Sequence, residues 1–368
     1  TQNLATGNIS MNDVIYPIVT LNTMANSNIK WETTTVVDFG VDLTLFNNIN
    51  FTADWYRKVT DNILMTLDIP LAVGLNAPYQ NAGKVRNTGW EVSLGYNNKW
   101  NDFTFGTRLN LSDVRNKIID MRGKTSTSGV LRNQEGNSIA SIYALKSMGI
   151  IRTQEEADFV NLNCPQFKET VQIGDLRYSD IKGDGVIDES DKTIIGSTIP
   201  RYTYSLDLNL GWKGFRLSML LQGVGKTGGY LGSYYVMPST QGGSFRKEHL
   251  DFAWTENTNG KTPRLTSVQK NNWENSSFWM KSASYLRLKN IQIGYNLPKT
   301  FLRKLKLSDV YIYGNAQNLL TISNFWKGFD PEVGYGGDSS GDFDVVSLGS
   351  ANNYPQVKVF SVGVDIKF

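Results

Sequence analysis

Residues 201–212 read Arg-Tyr-Thr-Tyr-Ser-Leu-Asp-Leu-Asn-Leu-Gly-Trp, and their period is two. Tyr202, Tyr204, Leu206, Leu208, Leu210 and Trp212 fall on one face, while Arg201, Thr203, Ser205, Asp207, Asn209 and Gly211 fall on the other. Side chains of a strand alternate between its two faces, so this is a strand with one apolar and one polar face. Tyr202 and Trp212 are ten positions apart on the apolar face. At about 3.3 Å per residue they are separated by roughly 33 Å, or about 25 Å along the normal for a tilt near 40°. That matches the apolar band of a transmembrane β-barrel with an aromatic ring at each rim.

The same alternation recurs outward from this stretch. It is present in Val37 to Leu45, Ile49 to Trp55, Trp90 to Tyr96, Phe103 to Leu111, Phe215 to Gly223, Val310 to Leu319 and Val357 to Phe368. Leu286 to Leu297 alternates too but changes phase, Leu286 and Leu288 sharing one parity and Ile291, Ile293 and Tyr295 the other, which predicts a bulge or a membrane exit. Nine strands are thus expected, with Ser141 to Ile151 as a candidate tenth. Short links (Asn47-Asn48, Lys99 to Asp102, Lys213-Gly214, Pro298 to Asp309) alternate with long ones (Asp61 to Asn87, Val114 to Pro200, Lys226 to Ala283, Thr321 to Gln356). Such asymmetry is that of periplasmic turns and extracellular loops. The fold class expected is all-β: a transmembrane antiparallel β-barrel with long extracellular loops. A soluble or surface-attached β-rich glycan-binding or adhesin protein shares the alternation and is the alternative; a passive porin is a lesser one.

Composition agrees and closes other routes. The 368 residues include 37 Lys and Arg against 34 Asp and Glu, a net charge of +3, with one Cys and one His. The basic residues are scattered, so no nucleic-acid partner is expected. Cys164 has no internal disulfide partner, and Cys164 with His249 makes neither a zinc site nor a nucleophile pair. Mean hydropathy is -0.31; no run of 18 apolar residues is present, which excludes a spanning helix and leaves a barrel open. Gly223-Val-Gly-Lys-Thr-Gly-Gly229 resembles a phosphate loop superficially, but it follows a strand and lacks the upstream glycine at the required spacing. His249, among Lys247, Glu248 and Asp251, reads as a solvated loop residue. No catalytic constellation emerges, and no enzyme is expected.

One segment carries a sharper pattern. Asp180-Ile-Lys-Gly-Asp-Gly-Val-Ile-Asp-Glu-Ser-Asp191 places carboxylates of Asp180, Asp184, Asp188 and Asp191 at positions 1, 5, 9 and 12 of a calcium loop. Gly185 occupies the sharp-turn position 6, and the Val186 carbonyl position 7. Two departures stand against Ca2+: Lys182 at position 3 repels a cation, and Asp191 is shorter than the usual Glu. The segment is expected to be a metal-free Asx and Gly turn, with Ca2+ bound by Asp180, Asp184, Val186, Asp188 and Asp191 as the alternative. Loop segments rich in Asn, Gly and Trp, such as Gly242-Gly243, Trp254, Asn257, Asn259, Asn271 to Trp273 and Trp279, suit sugar or peptide ligands, and they also suit ordinary polar loops.

Several segments, in order, resemble the SusC/RagA family of TonB-dependent outer-membrane transporters of Bacteroidetes. They are Asn28 to Thr34, Asn81 to Gly89 followed by Trp90-Glu-Val-Ser-Leu, the acidic loop with Ile195-Gly196 and Pro200, Ser284 to Ile291 with Gly294 to Pro298, Asn318 to Thr321, and Gly328-Phe-Asp-Pro-Glu332. The resemblance implies uptake of an oligosaccharide or peptide nutrient across the bacterial outer membrane, driven through TonB. A SusD-like surface lipoprotein would act as extracellular partner. It further implies that residues 1–368 are the C-terminal portion of one 22-stranded barrel domain, embedded in outer-membrane lipid, with Phe368 a genuine C-terminus and the plug and TonB box outside this chain. Residues 114–200 would be a long loop region containing the acidic segment 180–191.

Overall fold

The computed structural model describes residues 3–11, 13–67, 69–230, 245, 247–266, 271–304, 306–332 and 356–368. Its main body is a sheet of nine strands: β3 (Thr33–Leu45), β4 (Ile49–Thr66), β5 (Tyr79–Trp100), β6 (Phe103–Asp120), β13 (Tyr202–Trp212), β14 (Phe215–Gly225), β17 (Tyr285–Asn296), β18 (Asp309–Ser323) and β19 (Val359–Lys367). Each pairs antiparallel with the next in chain order, so the wall is an up-and-down meander. These are the nine expected strands. A separate hairpin, β1 (Asn3–Met11) with β2 (Val14–Thr23), precedes them. Its second strand contains Pro17 and carries apolar residues on both parities (Ile15 and Val19; Val14, Tyr16 and Ile18), so it shows no clean alternation.

Register makes the apolar stripes continuous. Leu206 lies between Leu221 and Leu109, Trp212 between Phe215 and Phe103, and Trp55 opposite Trp90. The phase change in β17 is a bulge: β14 pairs Leu220 with Asn290 and Leu221 with Leu288, skipping Lys289. The extra residue returns Leu286 and Leu288 to the face of Ile291 and Ile293. Most of the apolar face is open to the surroundings, with Phe39 68 %, Trp212 55 % and Phe360 69 % exposed. A soluble fold buries such a face, since exposed apolar patches rarely exceed a few hundred Å². Here it runs across nine strands, as it does where lipid is the solvent. Two-residue turns close one end: Lys213 and Gly214 have φ of 45° and 91°, the left-handed pair that matches the twist of flanking strands.

Two motif glycines answer to close packing on the polar face. A Cβ on Gly89 would meet the Tyr56 hydroxyl at 2.6 Å, and one on Gly294 would collide with the Tyr311 ring. In both places a tyrosine lies across the strand where only hydrogen fits.

If lipid faces the apolar stripe, Leu208→Arg and Asn209→Arg differ sharply although the residues adjoin. Near the band centre an outward Arg costs about 2–4 kcal/mol, whereas a lumen substitution is nearly neutral. Denaturant midpoints of the full-length protein folded into vesicles check this; equal losses would count against a lipid-facing stripe.

At the other end β4, β5 and β6 run on past the Trp55–Trp90 level, and Ile63, Met65, Ala82, Val85, Ile118 and Met121 pack there into a small core with Ile139. The link expected from Asp61 to Asn87 is therefore mostly strand. The candidate tenth strand is not part of the wall. Residues 141–151 break into β9 (Ser141–Ala144) and β10 (Ser147–Ile150), which join two small loop sheets. Ile142, Ala144 and Leu145 are buried from both sides, and the Leu145 N–H donates to the Asn275 carbonyl. Among the described residues no helix is long and apolar enough to cross a membrane.

Candidate functional site

The long connectors fold together into one body at the loop end. It contains β7 (Ser126–Ser128), β8 (Leu131–Asn133), β9 and β12 (Thr193–Ser197) as a four-stranded sheet, β10 with β11 (Leu176–Tyr178), and β15 (Gly228–Tyr230) with β16 (Met280–Ser282). The helix α1 (Gln154–Asn163) completes it. Its N-terminus is signalled by Thr153 with Glu156 three positions on: the Glu156 N–H donates to Thr153 Oγ1 at 3.2 Å, a capping pattern legible in the sequence. Leu131, Ile142, Leu145, Leu176, Tyr178, Ile187, Tyr230 and Trp279 form the core, with Trp273, Phe325 and Trp326 packed against it.

A buried polar network binds the loop of residues 114–200 to that of residues 226–283. Gln166 Nε2 donates to the Leu176 carbonyl at 2.8 Å and to Asn271 Oδ1 at 2.9 Å. Asp175, 1 % exposed, accepts both guanidinium arms of Arg264 at 2.9 and 3.1 Å and the Asn272 amide at 2.8 Å. Trp279 Nε1 donates to the Asn272 carbonyl at 3.2 Å, and the Tyr178 hydroxyl donates to that of Asn271. Burial pushes the Tyr178 phenol well above its ordinary range, so it remains a donor. Asn271, Asn272 and Trp279, residue types suited to a ligand, are thus committed to holding loops together, which leaves Trp254, 39 % exposed, as the open aromatic of that set. Gly242 and Gly243 lie outside the described residues. His249, expected in solvent, is 5 % exposed and sits within the short turn Lys247–Leu250. After Gly225 the chain enters β15 with no helix opening, so the phosphate-loop likeness ends there.

A second clamp joins the loop body to the wall. Arg287, on the polar parity of β17 and 1 % exposed, donates to Asp330 at 2.7 Å, Glu332 at 2.8 Å and Thr321 Oγ1 at 2.9 Å. Lys289, the bulge residue, donates to Glu332 at 2.9 Å, and the Tyr285 hydroxyl donates to the same carboxylate. Two motifs far apart in sequence, Ser284 to Ile291 and Gly328 to Glu332, are here one structure. Because Arg287 faces away from the apolar stripe, the segment it holds leans inward over the lumen. The lumen wall below is polar: Ser93 Oγ donates to Asn110 Oδ1 at 2.8 Å, whose amide donates to Ser205 Oγ at 2.9 Å. At the turn end the inner face lines a cavity of about 1480 Å³ with Asn48, Asn97, Asn209, Arg216 and Gln292.

The acidic segment forms the turn its glycines predict, Gly183 and Gly185 having φ of 76° and 77°. Its carboxylates are turned to internal donors. Asp180 accepts the N–H of Gly183 at 2.6 Å and of Gly185 at 2.8 Å. Asp184 pairs with Lys182 Nζ at 2.7 Å, and Asp188 accepts the Ser190 N–H at 2.8 Å. Asp191, fully buried, accepts from Ile181, Lys182 and Asp188. Among the described residues no group of three or more Asp, Glu, His or Cys side chains stands in metal-holding geometry. As placed, these residues do not fit Ca2+. Calcium titration into the purified full-length protein is expected to give no heat and no change in melting temperature; a clear rise would restore the ion.

Hydrogen bonding to Lys182 holds the Asp184 carboxyl below its ordinary range, and that to Ser190 does the same for Asp188. A depressed folded-state pKa contributes stability that is present above the unfolded value and lost as pH falls through the folded one. The turn is therefore expected to keep its amide protection down to about pH 4, the free aspartate range, and lose it below. Hydrogen exchange at Val186 and Ser190 follows this directly.

With strand order, exposed apolar face and packed loops in view, comparison with known proteins identifies the fold. The family model described as TonB dependent receptor-like, beta-barrel matches residues 5–319. The chain belongs to this family. As a TonB-dependent receptor-like barrel it is an outer-membrane protein and not an enzyme; in barrels of this kind short turns face the periplasm and long loops the exterior. It is 31% identical over 364 residues to TonB-dependent receptor P3 of Formosa agariphila, covering 95% of this chain and 35% of that protein. It is 28% identical over 358 residues to TonB-dependent receptor SusC of Bacteroides thetaiotaomicron, covering 93% and 32%. The fold superposes on that of the RagAB peptide importer in its open-open state with a TM-score of 0.77, at 21% identity, over 100% of this chain and 38% of that one. The chain spans about a third of the length of the curated relatives it matches.

Proposed function

We propose that this chain is the C-terminal barrel portion of an importer that takes up an oligosaccharide or peptide nutrient in a TonB-dependent manner, with a SusD-like surface lipoprotein over its extracellular loops. The observation that carries this reading is the loop body. Loops of a passive pore need only connect strands, whereas these form a common core, a buried Asp175–Arg264–Asn272 network and an inward-leaning segment held by Arg287. A rigid roof above a polar lumen is what a chamber for a large hydrated ligand requires, since orientation of polar groups gives specificity only when they are held. The soluble-adhesin reading has no account of the outward apolar face.

Affinity purification of the tagged full-length protein from its native membrane tests the partnership, with recovery of a lipoprotein expected at near-equal amounts. Uptake of fluorescent oligosaccharides and peptides, with and without collapse of the proton gradient, tests transport. Uptake indifferent to that gradient would contradict TonB dependence.

A further inference from the structure

The turn from Pro298 to Asp309 is the longest among the described turns at its end of the wall, and residues 299–308 carry Lys299, Arg303, Lys304 and Lys306 with no carboxylate. Asp309 closes it, accepting from Asn296 Nδ2 at 3.2 Å. Among the described residues none of the four cations makes an ion pair. Lys213 lies one turn away, its Nζ 5.5 Å from the Trp212 ring centre, so cationic charge concentrates beside the periplasmic aromatic ring of Trp212, Phe215 and Tyr295.

The first six residues of the turn form α2 (Lys299–Lys304). Its side of the wall follows from Val310, which shares the lipid-facing parity of Ile312 yet is only 6 % exposed where Ile312 is 42 %. Something covers Val310 from outside, and α2 is the helix packed on that strand, its Leu302 1 % exposed. So α2 lies against the outer surface of the barrel at the rim, with Leu302 inward, Phe301 52 % exposed and the cations around it. An apolar anchor ringed by Lys and Arg at headgroup depth is the composition of an interfacial helix, and each basic group near an anionic leaflet adds to its attraction.

We propose that α2 and its turn form a binding surface for anionic phospholipid headgroups of the periplasmic leaflet, the phosphodiester being held by Lys299, Arg303, Lys304 and Lys306 while Phe301 enters the acyl boundary. This rests on the membrane orientation above, which insertion into purely zwitterionic vesicles tests separately.

The experiment uses the full-length protein in micelles, with phosphatidylglycerol and phosphatidylcholine competing for it and retained lipid counted by native mass spectrometry. Wild type retains phosphatidylglycerol preferentially. The combined Lys299→Gln, Arg303→Gln, Lys304→Gln, Lys306→Gln protein loses that preference by about tenfold or more, as the loss of four such contacts requires. A Lys304→Arg, Lys306→Arg protein keeps it, and Phe301→Ser weakens retention of both lipids. Heat-modifiable migration confirms that each variant is folded. Equal retention of the two lipids by wild type, or an unchanged preference in the folded Gln variant, overturns the proposal. Displacement of the lipid by millimolar inorganic phosphate alone also overturns it, assigning the site to the free anion.

Discussion

Arg287→Met in the full-length protein is expected to destabilise it by about 3–5 kcal/mol, the effect of leaving a buried ion pair half made. Asp330 and Glu332 are themselves largely buried, so loss of the guanidinium strands two carboxylates with only Lys289 to oppose them. Met fills the volume without restoring donors. Hydrogen exchange across residues 326–332 separates the local from the global consequence: the inward segment opens first, and the strands β17 and β18 keep their ladder. Arg287→Lys retains charge but cannot reach Asp330, Glu332 and Thr321 at once, so its loss should fall between wild type and Met. A Met variant with unchanged protection at 326–332 would mean that other contacts hold the segment.

Asp175→Ala should act with comparable force on a different joint. The substitution removes the buried carboxylate that Arg264, the Asn272 amide and the Gln172 N–H share, a cost of about 3 kcal/mol or more. The Arg264 N–H donates to the Gly174 carbonyl at 2.7 Å, and that backbone bond should weaken with it. Limited proteolysis is the direct readout, with new cleavage in the loop of residues 226–283 while the barrel remains resistant. Asp175→Asn, which keeps shape and one acceptor, should cost less. Cleavage unchanged in Asp175→Ala would show that the loops are joined mainly by the apolar core around Trp279.

How far the sequence discloses this molecule depends on what repeats in it. The nine wall strands are legible because lipid and lumen impose opposite demands on alternate residues, and even the bulge at Lys289 shows as a change of phase. Their upper ends are not, since beyond Trp55 and Trp90 the register shifts between Thr60 and Leu64, and Ile63 and Met65 enter a small protein core instead of facing lipid, so the alternation breaks. The loop body is illegible for a related reason. Gln166 and Asn271 are 105 positions apart, and no local pattern announces that they are partners. Asn271 and Trp279 read as surface residues by type, and only burial shows them to be structural. The acidic segment shows the limit of spacing: Gly185 turns as its position requires, but whether Asp180 faces an ion or the amides of Gly183 and Gly185 is decided by the fold of the turn.

The unequal height of the strands has a directional consequence. β4 and β5 continue about eleven residues beyond the Trp55–Trp90 level, roughly 27 Å along the normal at a tilt near 40°. β13 begins at Tyr202, on that same level. On this part of the wall the strands themselves rise as a parapet on one flank, whereas above β13 the height is made by the folded loop body, so a ligand over the lumen meets rigid ladder on one side and packed loops on the other.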